Sequence, residues 1–188
     1  IKVPTTTVDF TPFAKKAADA NGAYIFIAWS NAATAGAMFT SLVQQKAYAT
    51  ARPITGLAGV DTYNIYGTLL EGANAILTNS YFPGVVKGKA ATAIAADYAK
   101  AGKTQDLFTS TGVNAAQMII AAVKGNKDLD VNQMITSLES LQFVGLTGLT
   151  KVNKTNHTLI QSMFLTKLTK VNGRYVPSLV STLYNVKV

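Results

Sequence analysis

The sequence predicts an α/β fold: a parallel sheet with helices on both faces, joined to a partial second lobe of mainly helices. Three observations carry this expectation. Residues Tyr24–Trp29 are apolar without alternation, the pattern of a strand buried on both faces. Strand and helix signals alternate through about residue 80, the order of a parallel sheet. Beyond the turn residues Tyr81-Phe82-Pro83-Gly84, three helical patterns follow with no buried strand between them.

Each element has its own signals. Ile1–Val3 reads as a strand end. Thr11 is placed to cap a helix over Pro12–Asp19, with proline at its preferred first position and Asn21-Gly22 as the stop. The strand Tyr24–Trp29 then runs into Ser30 and Asn31, two capping residue types, and a helix from about Ala32 to Gln45 with Met38, Phe39, Leu42 and Val43 on one face. Pro53–Leu57 is a short strand, Asp61 can cap a short helical segment over Thr62–Tyr66, and Gly72–Leu77 is a further apolar strand. The helices beyond the break span Lys87–Ala101, Gly112–Val123 and Asn132–Leu141. Strands over Thr147–Val152 and Thr158–Leu168 follow, then a hairpin turned at Asn172-Gly173 and a strand-like end, Ser178–Val188.

Composition narrows the function classes. Of 188 residues, 48% are hydrophobic and 14% charged, with a net charge of +8. The mean hydropathy is +0.21, so a packed core is expected. The basic residues are scattered and form neither a stripe nor a recognised module, so no nucleic-acid partner is expected. Absent cysteine removes disulfides, thiol nucleophiles and thiolate metal sites. No apolar run reaches the length of a membrane span. The chain starts at Ile1 without a signal-peptide pattern, which suggests a processed protein or a fragment. The single histidine, His157, has no acidic or thiol neighbour in sequence and reads as a surface loop residue. Asp128 and Asp130 precede a helix and complement its positive end. There is no phosphate loop, no G-x-S-x-G and no H-E-x-x-H pattern. The expectation is therefore not an enzyme, with no catalytic residue, metal site or cofactor.

Several stretches, taken in order, carry a resemblance. They are Asp9-Phe10-Thr11-Pro12-Phe13, then Ala23–Gly36, then Gly67-Thr68-Leu69-Leu70-Glu71-Gly72. Asp106-Leu107-Phe108 with Gly112–Gln117, and Phe143–Gly148, complete the series. Over nearly its whole length the chain resembles the type I periplasmic solute-binding proteins of the branched-chain amino-acid (Leu/Ile/Val) ABC-transporter class, and looks like their C-terminal part only. The family has two α/β lobes joined by three crossing segments. The resemblance implies that 1–80 and 158–188 form lobe two and that 84–156 form an incomplete, helical portion of lobe one. The crossings would fall near 78–84 and 153–160. It further implies that the helices over 87–141 cover their apolar faces with the N-terminal remainder of the same protein or with a dimer mate.

The implied function is an extracytoplasmic component of an ABC importer, periplasmic or extracellular, free or as a membrane-associated lipoprotein. It would capture a small ligand by hinge closure and deliver it to a membrane permease. An alternative on the same fold is the ligand-sensing core of a receptor or transcriptional regulator. Candidate ligand-binding residues follow. Ser30 and Asn31 open a helix whose free N–H groups favour a carboxylate or another acceptor, or they simply cap it. Trp29 is either core or a flat apolar wall. The resemblance places Asn31 where amino-acid binders carry a ligand-contacting aromatic, and Phe108 as a lobe-one aromatic able to approach the ligand. It places Ala58, beside Gly59, where amino-acid binders commonly carry a carboxylate for the substrate ammonium. Alanine cannot neutralise a buried cation. The expected ligand is thus a carboxylate or amide without a free ammonium, such as an aromatic or aliphatic acid. Tyr81, with Phe82, sits at a predicted crossing, either packing the hinge or presenting an edge to the ligand.

Overall fold

The computed structural model describes all residues except Leu57, Ala58, Gly125, Lys127 and Val188, and all side chains except theirs and those of Ala32, Val60 and Asp61. The chain begins with α1 (Thr11–Asp19), β1 (Tyr24–Ile27), α2 (Ala32–Gln44), β2 (Arg52–Gly56), α3 (Val60–Gly72) and β3 (Ile76–Asn79). It continues through α4 (Lys89–Lys100), α5 (Thr109–Val123) and α6 (Val131–Glu139). It closes with β4 (Gln142–Gly145), β5 (Gly148–Val152), β6 (Leu159–Val171) and β7 (Arg174–Val186). Two compact units result. One comprises residues 1–78 and 166–178, and the other 79–165 and 179–188. The long strands β6 and β7 each contribute to both.

In the first unit β1, β2 and β3 are parallel, in register Tyr24 opposite Arg52 and Ile54 opposite Ile76. The start of its share of β6 follows β3, where Thr166 Oγ1 donates to the Leu77 carbonyl at 3.1 Å. This is the expected β-α-β order; Phe10 and Ala14 at α1, and Met38, Phe39 and Leu42 of α2, are buried. Val43, read as part of that face, is instead 48% exposed.

Three expectations need correction here. β1 is not buried on both faces: Tyr24 and Phe26 are 64% and 71% exposed, and only Ile27 is buried. β1 lies at the end of the strand order, where one side of a parallel sheet is open. The helix read as Thr62–Tyr66 in fact runs over Val60–Gly72, with Gly59 rather than Asp61 at its N-cap. Gly67, inside α3, is a packing site. The Tyr175 ring lies on it so closely that a Cβ there would fall inside the ring. Tyr175 also donates from Oη to Glu71 Oε2 at 2.9 Å and lies 3.1 Å from Thr68 Oγ1. Tertiary packing here overrides the helix penalty of glycine. Ile1–Val3 forms no strand.

The second unit holds α4, α5 and α6, with β4, β5 and the first part of β6 antiparallel. β4 was not anticipated, because four residues between a helix end and a turn carry no readable period. A buried polar group organises it. Asn114 Nδ2 donates to Thr147 Oγ1 at 3.3 Å, and Thr147 Oγ1 lies 2.9 Å from Thr150 Oγ1. All three residues are nearly or fully inaccessible. α5 contains no charged residue, yet Ile119, Ile120 and Val123 are exposed on it.

Candidate functional site

The residues around the carboxyl end of β1 are built as the capping pattern requires. Asn31 has extended backbone geometry, and its Oδ1 accepts from the Ala33 N–H at 3.1 Å, so it is the N-cap of α2. Its Nδ2 points toward the Thr5 carbonyl at 3.5 Å. One first-turn amide of α2 is thereby occupied by the chain's own side chain.

Trp29 is half-buried. It stands edge-on to Phe10, with ring centroids 5.3 Å apart and planes at 89°, and its Nε1 donates to Thr34 Oγ1 at 3.1 Å. Both contacts fix the indole orientation, which a flat binding surface needs. Phe10 itself is only 2% exposed, so the wall behind Trp29 is rigid core. Ser30 is exposed, and its side chain is free to turn toward a bound group.

Trp29 and Ser30 line a cavity of about 680 Å³ in the first unit, together with Phe10, Phe13, Tyr24, Phe26, Met38 and Leu42. That volume falls in the range of small-molecule sites. Its lining is mostly apolar and aromatic, so orientation would fall to a few polar groups at the Ser30 end. Among the described residues, no group of His, Cys, Asp or Glu could hold a metal ion.

The remaining candidates are placed elsewhere. Gly59 is the N-cap of α3, and Ala58 lies outside the described residues. Tyr81 belongs to the second unit and is 3% exposed. Its N–H donates to Asn79 Oδ1 and its hydroxyl to Gln105 Oε1, both at 3.0 Å. Burial, with a contribution from Tyr98, raises its phenol above the ordinary tyrosine range. Next to it Phe82 packs edge-on against Phe164 at 6.1 Å. Phe108 is the N-cap of α5 and 65% exposed, available for contact and not part of the core. The structure thus brings Trp29, Ser30 and Asn31 together in the first unit, and places Tyr81 and Phe108 in the second. His157 meets Glu139 at 3.1 Å on the surface, a pair of little energetic weight.

The cavity's dependence on Phe10 and Phe13 was not foreseen. The signal was present in sequence, as an apolar pair flanking Pro12 at the start of α1.

A family model described as periplasmic binding protein matches residues 1–173. No curated protein matches the sequence. Among solved structures, one similar protein is an ABC-type branched-chain amino acid transporter protein from Rhodopseudomonas palustris, at 24% identity and TM-score 0.81. This chain is covered to 97% and that one to 50%. A solute-binding protein from R. palustris in complex with 4-hydroxybenzoate is similar at 14% identity and TM-score 0.81, covering 98% of this chain and 51% of that one. A leucine-, isoleucine-, valine-, threonine- and alanine-binding protein from Brucella ovis is similar at 19% identity and TM-score 0.80, covering 100% and 50%. The chain therefore spans about half the length of these structures. At such identities the likeness shows the fold.

Proposed function

The chain belongs to the periplasmic binding protein family, and from that premise we propose that it is the solute-binding component of an ABC importer, taking a small carboxylate- or amide-bearing solute. The family is one of extracytoplasmic solute-binding proteins rather than enzymes. No described helix is long and apolar enough to cross a membrane. We read the two compact units as the two lobes, hinged to close on the solute, with a membrane permease as the receiving partner.

The observation that carries the reading is the cavity along β1, which reaches Trp29, a held apolar wall, and Ser30 at the strand's carboxyl end. Ligands of open parallel sheets bind at the carboxyl ends of the strands. Asn31 shapes that end by capping α2, and Gly59 begins α3 without a side chain in the way. Tyr81 and Phe108 lie in the second unit.

The ligand class follows from what is missing. Ala58, where the resemblance places the ammonium's partner, carries no charge, and no acidic side chain is found among the described cavity residues. An aromatic or aliphatic acid suits such a pocket better than an α-amino acid. Both kinds of solute occur among the similar structures, as 4-hydroxybenzoate in one and the branched-chain amino acids named for another. The remaining wall would come from the N-terminal remainder of the same protein or from a dimer mate.

The test is a thermal-shift screen of the protein at its full two-lobe length against amino acids and aromatic and aliphatic acids. Strong stabilisation by benzoate-type acids is expected. Strong stabilisation by leucine or valine, with none by the acids, would refute the ligand class.

A further inference from the structure

Basic residues that are scattered along the sequence are gathered in the first unit around the carboxyl end of α3. Lys46 follows α2 and lines a second cavity together with Gly72 and Ala73, where α3 ends. Arg52, at the start of β2, donates from Nε to the Asn74 carbonyl at 2.6 Å and from Nη2 to Asn74 Oδ1 at 3.1 Å. The β6–β7 hairpin brings the others. Tyr175 bonds Thr68 and Glu71 in the last turns of α3, Lys170 Nζ stands 5.7 Å over its ring, and Arg174 precedes it. Lys46, Lys170 and Arg174 are exposed. Against these cations stands Glu71, the acceptor for Tyr175, and no Asp or Glu follows Glu139 in the chain. A helix carboxyl end attracts one cation through its dipole. Cations delivered there by three separate elements exceed that need.

We propose that this end of the first unit binds an anionic lipid surface. Three points favour that occupant. Lys46 lines the second cavity while Arg52, Lys170 and Arg174 stand outside its lining, so the group suits a surface of many phosphates better than one small anion. Beside the cations of the hairpin stand two apolar side chains, Val171 at 50% and Val176 at 38% exposure. The Asn172-Gly173 turn sets Val171 opposite Arg174, which puts these three side chains on one face, and mixed basic and apolar faces suit a headgroup layer. The rings nearby, Tyr175 buried and Tyr48 half-buried, offer no exposed platform for stacked bases, which disfavours a nucleic acid. The inference takes from the proposed function only that the protein works beside a membrane. None of these cations lines the cavity at Trp29, so the contact leaves the solute site free.

Sedimentation of the protein, at two-lobe length, with lipid vesicles tests it. Vesicles of phosphatidylglycerol and phosphatidylcholine should bind it, vesicles of phosphatidylcholine alone should not, and added salt should release it. Lys46→Gln, Lys170→Gln and Arg174→Gln combined should lower partitioning onto the anionic vesicles by roughly 100-fold. All three side chains are exposed, so the fold should be retained, with an unchanged circular dichroism spectrum as the check. Lys89→Gln, Lys100→Gln and Lys103→Gln combined remove the same charge from the second unit and should lower it by less than ~5-fold. Equal losses in the two combined variants overturn the proposal, because net charge would then explain the binding. Equal sedimentation with both kinds of vesicle overturns it as well. So does a duplex DNA that binds more tightly than the anionic vesicles and is lost in the first variant. The first variant should keep the solute binding of the unaltered protein. Absence of solute binding in every form would refute the proposed ligand class and leave the vesicle result standing.

Discussion

Replacing Gly67 with alanine should destabilise the first unit, although alanine is the better helix former. On an exposed helix the change gains about 1 kcal/mol. Here the added methyl would occupy the space of the Tyr175 ring. Overpacking of this kind costs about 1–3 kcal/mol. Displacing the ring also breaks the Tyr175–Glu71 hydrogen bond of 2.9 Å, and a bond to a carboxylate contributes about 1.5–3 kcal/mol. Set against the propensity gain, the net loss is about 1.5–5 kcal/mol. Urea unfolding of G67A measures it directly. A double-mutant cycle isolates the cause, since in a Tyr175→Ala background Gly67→Ala should become neutral or stabilising. If G67A alone raises stability by about 1 kcal/mol, the ring does not lie on Gly67 and the account of this unit is wrong.

Other outcomes follow from the same structure. Asn31→Ala should cost about 1 kcal/mol through loss of the α2 cap, with Asn31→Asp nearly neutral; equal losses for both would remove the cap from the explanation. Tyr48 has a hydroxyl buried without a hydrogen-bond partner, so Tyr48→Phe should stabilise by about 1 kcal/mol. Burial raises that phenol above its ordinary value of 10.0. Its neutral form is favoured in the fold, so the contribution is complete below pH 10.0 and is lost as pH rises from there toward the folded value. Y48F should therefore flatten the alkaline limb of the stability profile, and an unchanged limb would place the phenol in solvent. Gly145→Ala would set a methyl against the Asn114 amide and should cost about 1–3 kcal/mol in chemical denaturation; a neutral result would show that Asn114 does not hold β4. Trp29 is the sole tryptophan, so titration with a bound acid should change its fluorescence saturably, and a solute that binds without any change lies away from Trp29.

The sequence disclosed the parts of this fold that depend on local order. The β-α-β alternation to β3, the three helices after the Tyr81–Gly84 break and the Asn172-Gly173 hairpin all follow from period and turn chemistry. What it hid depends on distant partners. The length of α3 is set by Tyr175, 107 positions after Thr68, and no local rule predicts that Gly67 is a seat for a ring. The Asn114–Thr147–Thr150 group was invisible because a polar residue on a helix, such as Asn114, reads as surface until the turn and strand covering it are known. β1 was overread: its apolar run is that of a strand covered on both sides, but this chain leaves one face and one edge uncovered. Of the candidate site, the cap at Asn31 and the wall at Trp29 were legible from residue type. Their rigid support from Phe10 was not, because it joins two elements in space.

The claim that this fold captures an acid without a free ammonium is tested most directly by isothermal titration of the full two-lobe protein with 4-hydroxybenzoate and with leucine. Saturable binding of the acid, and leucine weaker by at least ~10-fold or about 1.4 kcal/mol, is the predicted result. Tight binding of leucine with none of the acid would contradict it.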